Sequence, residues 1–535
     1  MEVRINNDVP IGERIGKGVY GNVYLHKNKP DTVFKVIKMY EKTECNCDSA
    51  HRSVICSNVL QESTIYHMIN NTSHMVNIKY MIDTSRSIAY VMDYAGVSLK
   101  KFTDQYDTSP KKAMCMIKEI VSSVSRCMID VNDKFIINGD IKPDNIMVQR
   151  DNVLLTDWSL GKTVVLATSK IHDTLQTLWY RAPERIMDTY LENLNTDVWS
   201  LGIIMVELLL DMPGLLSGRD EKEVLCKMAY LFGEESFQCY SNVISSEYKN
   251  IIKGHASRLS MYLNIIKKYM SIKEFETVTD LIQKMLQFDP NKRTTFIDVY
   301  NHDFLGNVPI KPKSLLDKLD SLPYITVSPS KIMKNYGIRE KRKHTYNLII
   351  KLCDAYIDGP STELVSYVLK FINIIGEKIL FDKTSCDRYV IYAFDAVCGV
   401  YSFFRPYMCE MIKYFDSNYD GTSKYIENTI CEYNNMCREM KYNINAHTGI
   451  CYVRLLEGYD ISDITLYRKT YLEIQKSLCG LARTDRAMAR IAMFVVKSIK
   501  NINNEQINKF IGSLTYHETI IANKFLNIAK LNLIK

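Results

Sequence analysis

The feature that most constrains this chain is the run Asp140-Ile141-Lys142-Pro143-Asp144-Asn145-Ile146-Met147, followed shortly by Leu154-Leu155-Thr156-Asp157. A carboxylate, an ammonium and an amide stand close together, and a second carboxylate closes a short apolar strand. The order of these groups and their Leu, Ile and Val flanks make a chance polar loop a poor account. The set suits phosphoryl transfer, which needs a carboxylate to take a hydroxyl proton, a cation at the moving phosphate, and Asn and Asp oxygens for magnesium.

The 535 residues exceed one ordinary core, and length alone suggests roughly two to four domains. An apolar content of 46% fits a folded globular protein. The net charge of +7 is the small difference between 68 basic and 61 acidic residues, so it permits acidic partners without demanding nucleic acid. Fifteen scattered Cys, an odd number, read as reduced thiols of an intracellular protein, cytoplasmic or nuclear, rather than a disulfide framework. The first residues, Met-Glu-Val-Arg-Ile-Asn-Asn-Asp, lack the apolar core of a signal peptide. The most apolar stretch, Leu201 to Leu210, is about half a membrane span and contains Glu207, so it reads as a buried helix and no membrane contact is expected.

Strand-like alternation with a Gly-rich break over residues 11 to 40 predicts a hairpin and a third strand. Residues 54 to 70 read as a helix with a partly apolar face of Val59, Leu60, Ser63, Ile65, Tyr66 and Ile69. Val76 to Val91 returns to strand patterning, and helices dominate from Pro110. Pro309, Pro312, Pro323 and Pro329 mark a linker over about 309 to 337, and helical patterning follows from residue 338 to the end. No short tandem repeat is present.

Gly16-Lys17-Gly18-Val19-Tyr20-Gly21-Asn22-Val23 fits a loop whose glycines let main-chain amides approach phosphate oxygens. A strand through Val33 and Lys35 follows, and both side chains fall on one face. That face can place Val33 against a nucleotide base and Lys35 at the phosphates, with Lys38 as the competing lysine. Glu62 is the best-placed helical partner for Lys35. Cys45, Cys47, His51 and Cys56 form a weak zinc candidate, because no second Cys pair at finger spacing follows.

Together these residues resemble a eukaryotic-type protein kinase from about Ile11 to Leu305. The resemblance extends to Ala182-Pro183-Glu184, Asp197-Val198-Trp199-Ser200-Leu201-Gly202 and Asp289-Pro290-Asn291-Lys292-Arg293. It implies an α+β, two-lobed fold, with a small lobe over about 1–95 and a large lobe over about 96–308, and a buried Glu184–Arg293 pair. Thr177-Leu178-Trp179-Tyr180-Arg181-Ala182-Pro183-Glu184, Asp93-Tyr94-Ala95 and Lys284-Met285-Leu286-Gln287-Phe288 further resemble the cyclin-dependent kinases. The resemblance implies ATP and Mg as cofactors and protein Ser or Thr as acceptor, with a preference for proline after the acceptor from Arg181. It implies Asp140 as the base, Lys142 at the transferring phosphate, Asn145 and Asp157 on magnesium, and Lys35, held by Glu62, on the phosphates. Gly16, Gly18, Gly21, Val23, Val33, Met92 as gatekeeper, Asp93 and Ala95 would line the nucleotide site.

Two motifs depart from the family pattern. Asn138-Gly139-Asp140 stands for His-Arg-Asp, and Asp157-Trp158-Ser159 for Asp-Phe-Gly. The three arginines that grip an activation-loop phosphothreonine in the resembled kinases fall on Gly139, Gln61 and Lys162, and the threonine on His172. A phosphate without bidentate partners gains little, so activity without activation-loop phosphorylation is expected. Thr168, Ser169 and Thr174 remain acceptors there, and Tyr20 stands where the resembled kinases take an inhibitory phosphate, although a tyrosine that only covers the nucleotide is the favoured reading. Ser159 in place of Gly is expected to cost backbone freedom.

The second half resembles a cyclin box, an all-α domain over 338–535. Its first box spans about 338–445, through Arg342 to Tyr356, Thr362 to Ile375, Ala393 to Tyr401 with Arg405-Pro406, and Tyr425 to Asn445. A second helical repeat is expected over 446–530. The box's usual Arg and Asp fall on Arg342 and Asn347, and its usual Lys on Val400, while Glu427 keeps the Lys partner's place. Tethering raises effective concentration to about millimolar, so a weak kinase–cyclin contact within one chain can be saturated. The expectation is a kinase carrying its own activator. The alternatives are a pseudokinase scaffold, or a kinase whose helical half docks substrates or dimerises.

Overall fold

The computed structural model describes residues 2–5, 9–18, 21–38, 40–42, 53–55, 57–84, 87–105, 110–149, 152–164, 177–187, 193–322, 339–356, 362–378, 386–400, 408–445, 449–477 and 485–533. The expectations for Tyr20, the Cys45–Cys56 cluster, Thr168, Ser169, His172, Thr174 and Arg405-Pro406 lie outside these residues, as do the side chains of Lys38, Arg342 and Val400.

The small lobe is built on strands β1 (Glu2–Ile5), β2 (Ile11–Lys17), β3 (Gly21–His26) and β4 (Lys29–Lys38). A short ribbon, β5 (Tyr40–Lys42) and β6 (Ser53–Ile55), precedes helix α1 (Ser57–Ile69). Strands β7 (Ile78–Asp83) and β8 (Ser87–Asp93) complete a six-stranded sheet of order β1-β7-β8-β4-β3-β2. The alternation of β4 sets the register Val33↔Met92 and Lys35↔Tyr90, so Val33 and Lys35 lie on one face, as their spacing requires. Strand β1, which pairs parallel with β7, had no signal in the first residues.

Helix α1 differs from its sequence pattern in an informative way. Val59 through Tyr66 are all buried, so the helix is enclosed on every side rather than on one face. One side meets the sheet and the other packs against helix Cys386–Val400 from the second half of the chain. A helix covered all round has no need of a polar stripe.

The large lobe centres on helices Pro110–Asn132 and Thr196–Leu210, the second being the apolar stretch read as buried. Helices Ile272–Met285 and Phe296–Tyr300 open with complete capping boxes, Ser271 with Glu274 and Thr295 with Asp298. Within the expected linker, Leu315–Asp320 is instead helical, and Leu316 and Leu319 are buried. Proline spacing did not exclude this helix, because no proline falls inside it and Ser314 caps its first turn.

The second half is helical over Arg339–Tyr356, Thr362–Lys378, Cys386–Val400, Met408–Phe415 and Ser423–Glu439. A 3₁₀ helix, Gly449–Leu456, and helices Ile461–Ser477, Asp485–Lys500, Glu505–Ile511 and Tyr516–Leu533 follow. The first group shares one continuous apolar core with both lobes of the first half. The second group forms a separate core that takes in Phe135, Leu316 and Leu319 of the first half. Buried Lys370 pairs with Asp485, which also accepts from Tyr471 at 2.9 Å, tying the two groups together. Among the described residues no helix is long and apolar enough to cross a membrane.

Candidate active site

Lys35 Nζ stands 2.5 Å from Glu62 Oε1 and 2.9 Å from Asp157 Oδ1. The sheet presents Lys35, α1 presents Glu62, and the end of the apolar strand Asn152–Leu155 delivers Asp157. Burial opposes the charge on Lys35, yet Asp157 and Glu62 together hold its pKa well above the ordinary value. Burial also opposes ionisation of Asp157, but Lys35 and the Ser159 N–H hold its carboxyl down at about 2. Glu62 is pushed up to about 7 by burial, against the pull of Lys35.

The catalytic-loop side chains converge on the same space. Lys142 Nζ bridges Asp140 Oδ2 at 2.6 Å and Thr177 Oγ1 at 2.8 Å. Asn145 Nδ2 donates to Asp140 O at 2.9 Å and to Oδ2 at 3.2 Å. Burial raises the Asp140 pKa, and Lys142 moderates the rise. A carboxylate with raised affinity for a proton, fixed by an ammonium and an amide, is a group able to accept one.

Asn138 was read from the sequence only as a departure. It is fully buried, accepts from Asp140 N at 3.0 Å through Oδ1, and donates Nδ2 to Asp157 O at 3.1 Å. One amide thus links the main chains of the two residues that carry the site's carboxylates. The signal available was an amide directly after the apolar pair Ile136-Ile137 and two positions before Asp140. Asp157 lies at φ 62, a left-handed conformation unusual for a residue with a side chain, and these bonds hold it there. Asp197 is also buried and accepts from Asn138 N at 2.6 Å and Gly139 N at 3.0 Å. Gly139 lies at φ 79, and a Cβ there would stand 3.0 Å from Leu160 O, so glycine is required by the backbone as well as lost as a cation.

The positions of the expected phosphate clamp are otherwise occupied. Gln61 Nε2 donates to Gly161 O at 2.9 Å. Lys162 is buried in the short ladder between Ile136–Ile137 and Lys162–Thr163. Arg185 Nη1 donates to Gly139 O at 3.0 Å, bringing a guanidinium beside the residue that lacks one. Ser159 does not use the left-handed region open to the glycine it replaces: its φ is not positive, and its N–H donates to Asp157 Oδ1 at 3.2 Å.

At the nucleotide end, Gly18 N donates to Gly21 O at 2.8 Å, and Gly16 pairs with Val23. A Cβ on Gly21 would come within 2.6 Å of Val36 O, so only glycine fits. Val33, Met92 and Ala95 are buried along the inner wall. Asp93 turns its carboxylate outward to Lys79, which leaves only its main chain for a ligand. Beneath the site Arg293 holds Glu184 in a fully buried fork, Nη1–Oε1 2.7 Å and Nη2–Oε2 2.8 Å.

Residues 10–305, more than half of the chain, match the family model of the protein kinase domain. The matched span holds five of the sheet's six strands, the Lys35–Glu62–Asp157 cluster and the whole catalytic loop, so the chain belongs to the protein kinase family, whose members transfer a phosphoryl group from ATP.

Proposed function

We propose that this chain is a serine/threonine protein kinase activated in cis by its cyclin-like second half, without phosphorylation of its activation segment. The observation that carries the reading is the seat of α1. Thr64 Oγ1 donates to Tyr442 O at 3.4 Å and accepts from Ile444 N at 3.2 Å, and His67 Nε2 lies 3.0 Å from Lys441 O. These bonds hold α1 where Glu62 meets Lys35. A pseudokinase reading is disfavoured by the complete set, with Lys35 bonded to Glu62 and Asp157 and Asn145 bonded to Asp140.

In the proposed reaction Asp140 receives the hydroxyl proton of a Ser or Thr as the hydroxyl oxygen attacks the γ-phosphorus of ATP; the bond from that phosphorus to the β–γ bridging oxygen breaks, ADP leaves, and Lys142 faces the transferring phosphate. The Lys142–Thr177 bond supports the Ser/Thr assignment. Lys35 would hold the nontransferred phosphates. Asn145 and Asp157 present an amide and a carboxylate held ionised, an oxygen donor set of the kind magnesium prefers, and would hold the metal that neutralises phosphate charge. Proline preference after the acceptor is part of the proposal. Arg181, in the role assigned to it, is buried and anchored to Glu221 at 2.7 Å.

The test is phosphate incorporation into Ser/Thr peptides by the full chain with ATP and magnesium. Incorporation lost in Asp140→Asn and retained after phosphatase treatment is expected. Equal signal from wild type and Asp140→Asn defeats the enzyme reading, and loss on phosphatase treatment defeats phosphate independence.

A further inference from the structure

The structure carries a second link from the helical half, at a place unrelated to α1. Phe135 lies at φ 58, a conformation strained for a bulky residue, and is 3% exposed. Its N–H donates to Asn132 O at 3.0 Å, and its carbonyl accepts from Val164 N at 2.7 Å. Phe135 and Val164 therefore form a joint. The ladder of Ile136–Ile137 with Lys162–Thr163 runs on from this joint, and Asn138 follows directly. The joint is where the stem of the activation segment leaves the catalytic loop.

Arg454, on the 3₁₀ helix Gly449–Leu456, caps this joint. Its Nη2 donates to Val164 O, and its guanidinium carbon stands 5.8 Å from the centre of the Phe135 ring. Nη1 is held at 2.5 Å by Glu457, and the side chain is 17% exposed. Val453, Leu455 and Leu456 bury against the same core as Phe135. One cation thus contacts both sides of the joint from outside the residues 10–305 that match the kinase domain.

We propose that Arg454 is a positioning residue for the activation segment, its guanidinium locking the Phe135–Val164 joint. The proposal rests on the reading of the chain as an active kinase, and adds a large-lobe contact to the one at α1. Gly139, Gln61 and Lys162 supply no arginine to a phosphorylated threonine. Arg454 instead grips a main-chain carbonyl, a contact that needs no modification. A charge-assisted bond to a carbonyl that is otherwise covered resists solvent better than an exposed ion pair.

The experiment uses the full chain and the variants Arg454→Met, which keeps the stem without donors, and Arg454→Lys, which keeps charge and a donor. The expected result for Arg454→Met is a peptide KM raised about tenfold, the worth of one charged hydrogen bond, with the ATP KM unchanged. Amide exchange at residues 160–164 accelerates in the same variant, and Arg454→Lys restores most of both properties. Unchanged peptide KM and exchange overturn the proposal. So does an equal rise in both KM values without local change in exchange, or a Lys variant no better than Met. If Arg454→Met melts early, the ratio of its two KM values measured well below its melting temperature carries the test: a peptide-specific rise supports the proposal, and an unchanged ratio overturns it. If the wild-type chain transfers no phosphate, the kinase reading fails, and exchange at 160–164 still decides whether Arg454 holds the joint.

Discussion

Tyr442 donates its hydroxyl to Asp83 Oδ2 at 2.5 Å, joining the turn after helix Ser423–Glu439 to the end of β7. Arg438 Nε reaches the same oxygen at 3.1 Å. Burial, and then Asp83, push the Tyr442 phenol well above its ordinary range, so it remains a donor at any ordinary pH. Lys441 and Tyr442 both have positive φ, at 53° and 54°, and the bonds to Asp83, Thr64 and His67 hold that unusual turn against α1.

Tyr442→Phe removes one donor from a buried carboxylate and keeps the ring. The expected cost is roughly 1–3 kcal/mol, with a lower melting temperature and a several-fold loss of kcat/KM as Glu62 loses its setting. An unchanged melting temperature in calorimetry would show that this bond does not fasten the two halves.

The pH dependence of ATP use follows from Glu62. With its carboxyl raised to about 7, protonation at about pH 6 weakens its hold on Lys35, so kcat/KM for ATP rises from about pH 6 to about pH 8. The sign for stability is opposite. The folded chain binds this proton more tightly than the unfolded chain, so this group alone makes stability fall as pH rises from 4.5 to about 7. A flat profile of kcat/KM for ATP from about pH 6 to about pH 8 would contradict the first statement.

Asn138→Ala cuts the link between Asp140 and Asp157. The expected fall in kcat is about 10- to 100-fold, since small misplacements of reacting groups carry costs of that order, with peptide KM little changed. Gly139→Ala, one residue on, meets Leu160 O and an unfavourable φ, and is expected to lose about 1–2 kcal/mol in denaturant titration. Wild-type stability in Gly139→Ala would mean that the backbone there relaxes freely.

The Glu184–Arg293 fork is fully buried, so removing one partner strands a charge. Arg293→Met is expected to cost about 3–5 kcal/mol, and pairing it with Glu184→Gln to recover part of the loss. A double-mutant cycle with no coupling energy would refute the assignment.

Much of the candidate active site was legible because its chemistry is local in sequence. Asp140, Lys142 and Asn145 lie within one loop, and Gly16, Gly18 and Gly21 within one turn. The choice of Lys35 followed from strand alternation, and Glu62 from its helix. Asn138 was harder to read, because its function depends on two main-chain groups that the fold brings to it. The helix Leu315–Asp320 and strand β1 were missed because neither is stable alone: one needs the core around Phe135 and the other the edge of β7.

By itself the sequence determined the residue types and spacings of the phosphoryl-transfer set, the two-lobed kinase half and the helical character of the remainder. The first and the last rest on groups only a few positions apart and on periodicity, and the two-lobed half on the family resemblance that those motifs carry. Tertiary structure alone decided that α1 is covered on both sides, that Tyr442 meets Asp83, and that Arg454 caps Val164. Each of these joins segments hundreds of residues apart, and burial makes them count: a hydrogen bond or charge enclosed by protein is no longer interchangeable with one to water.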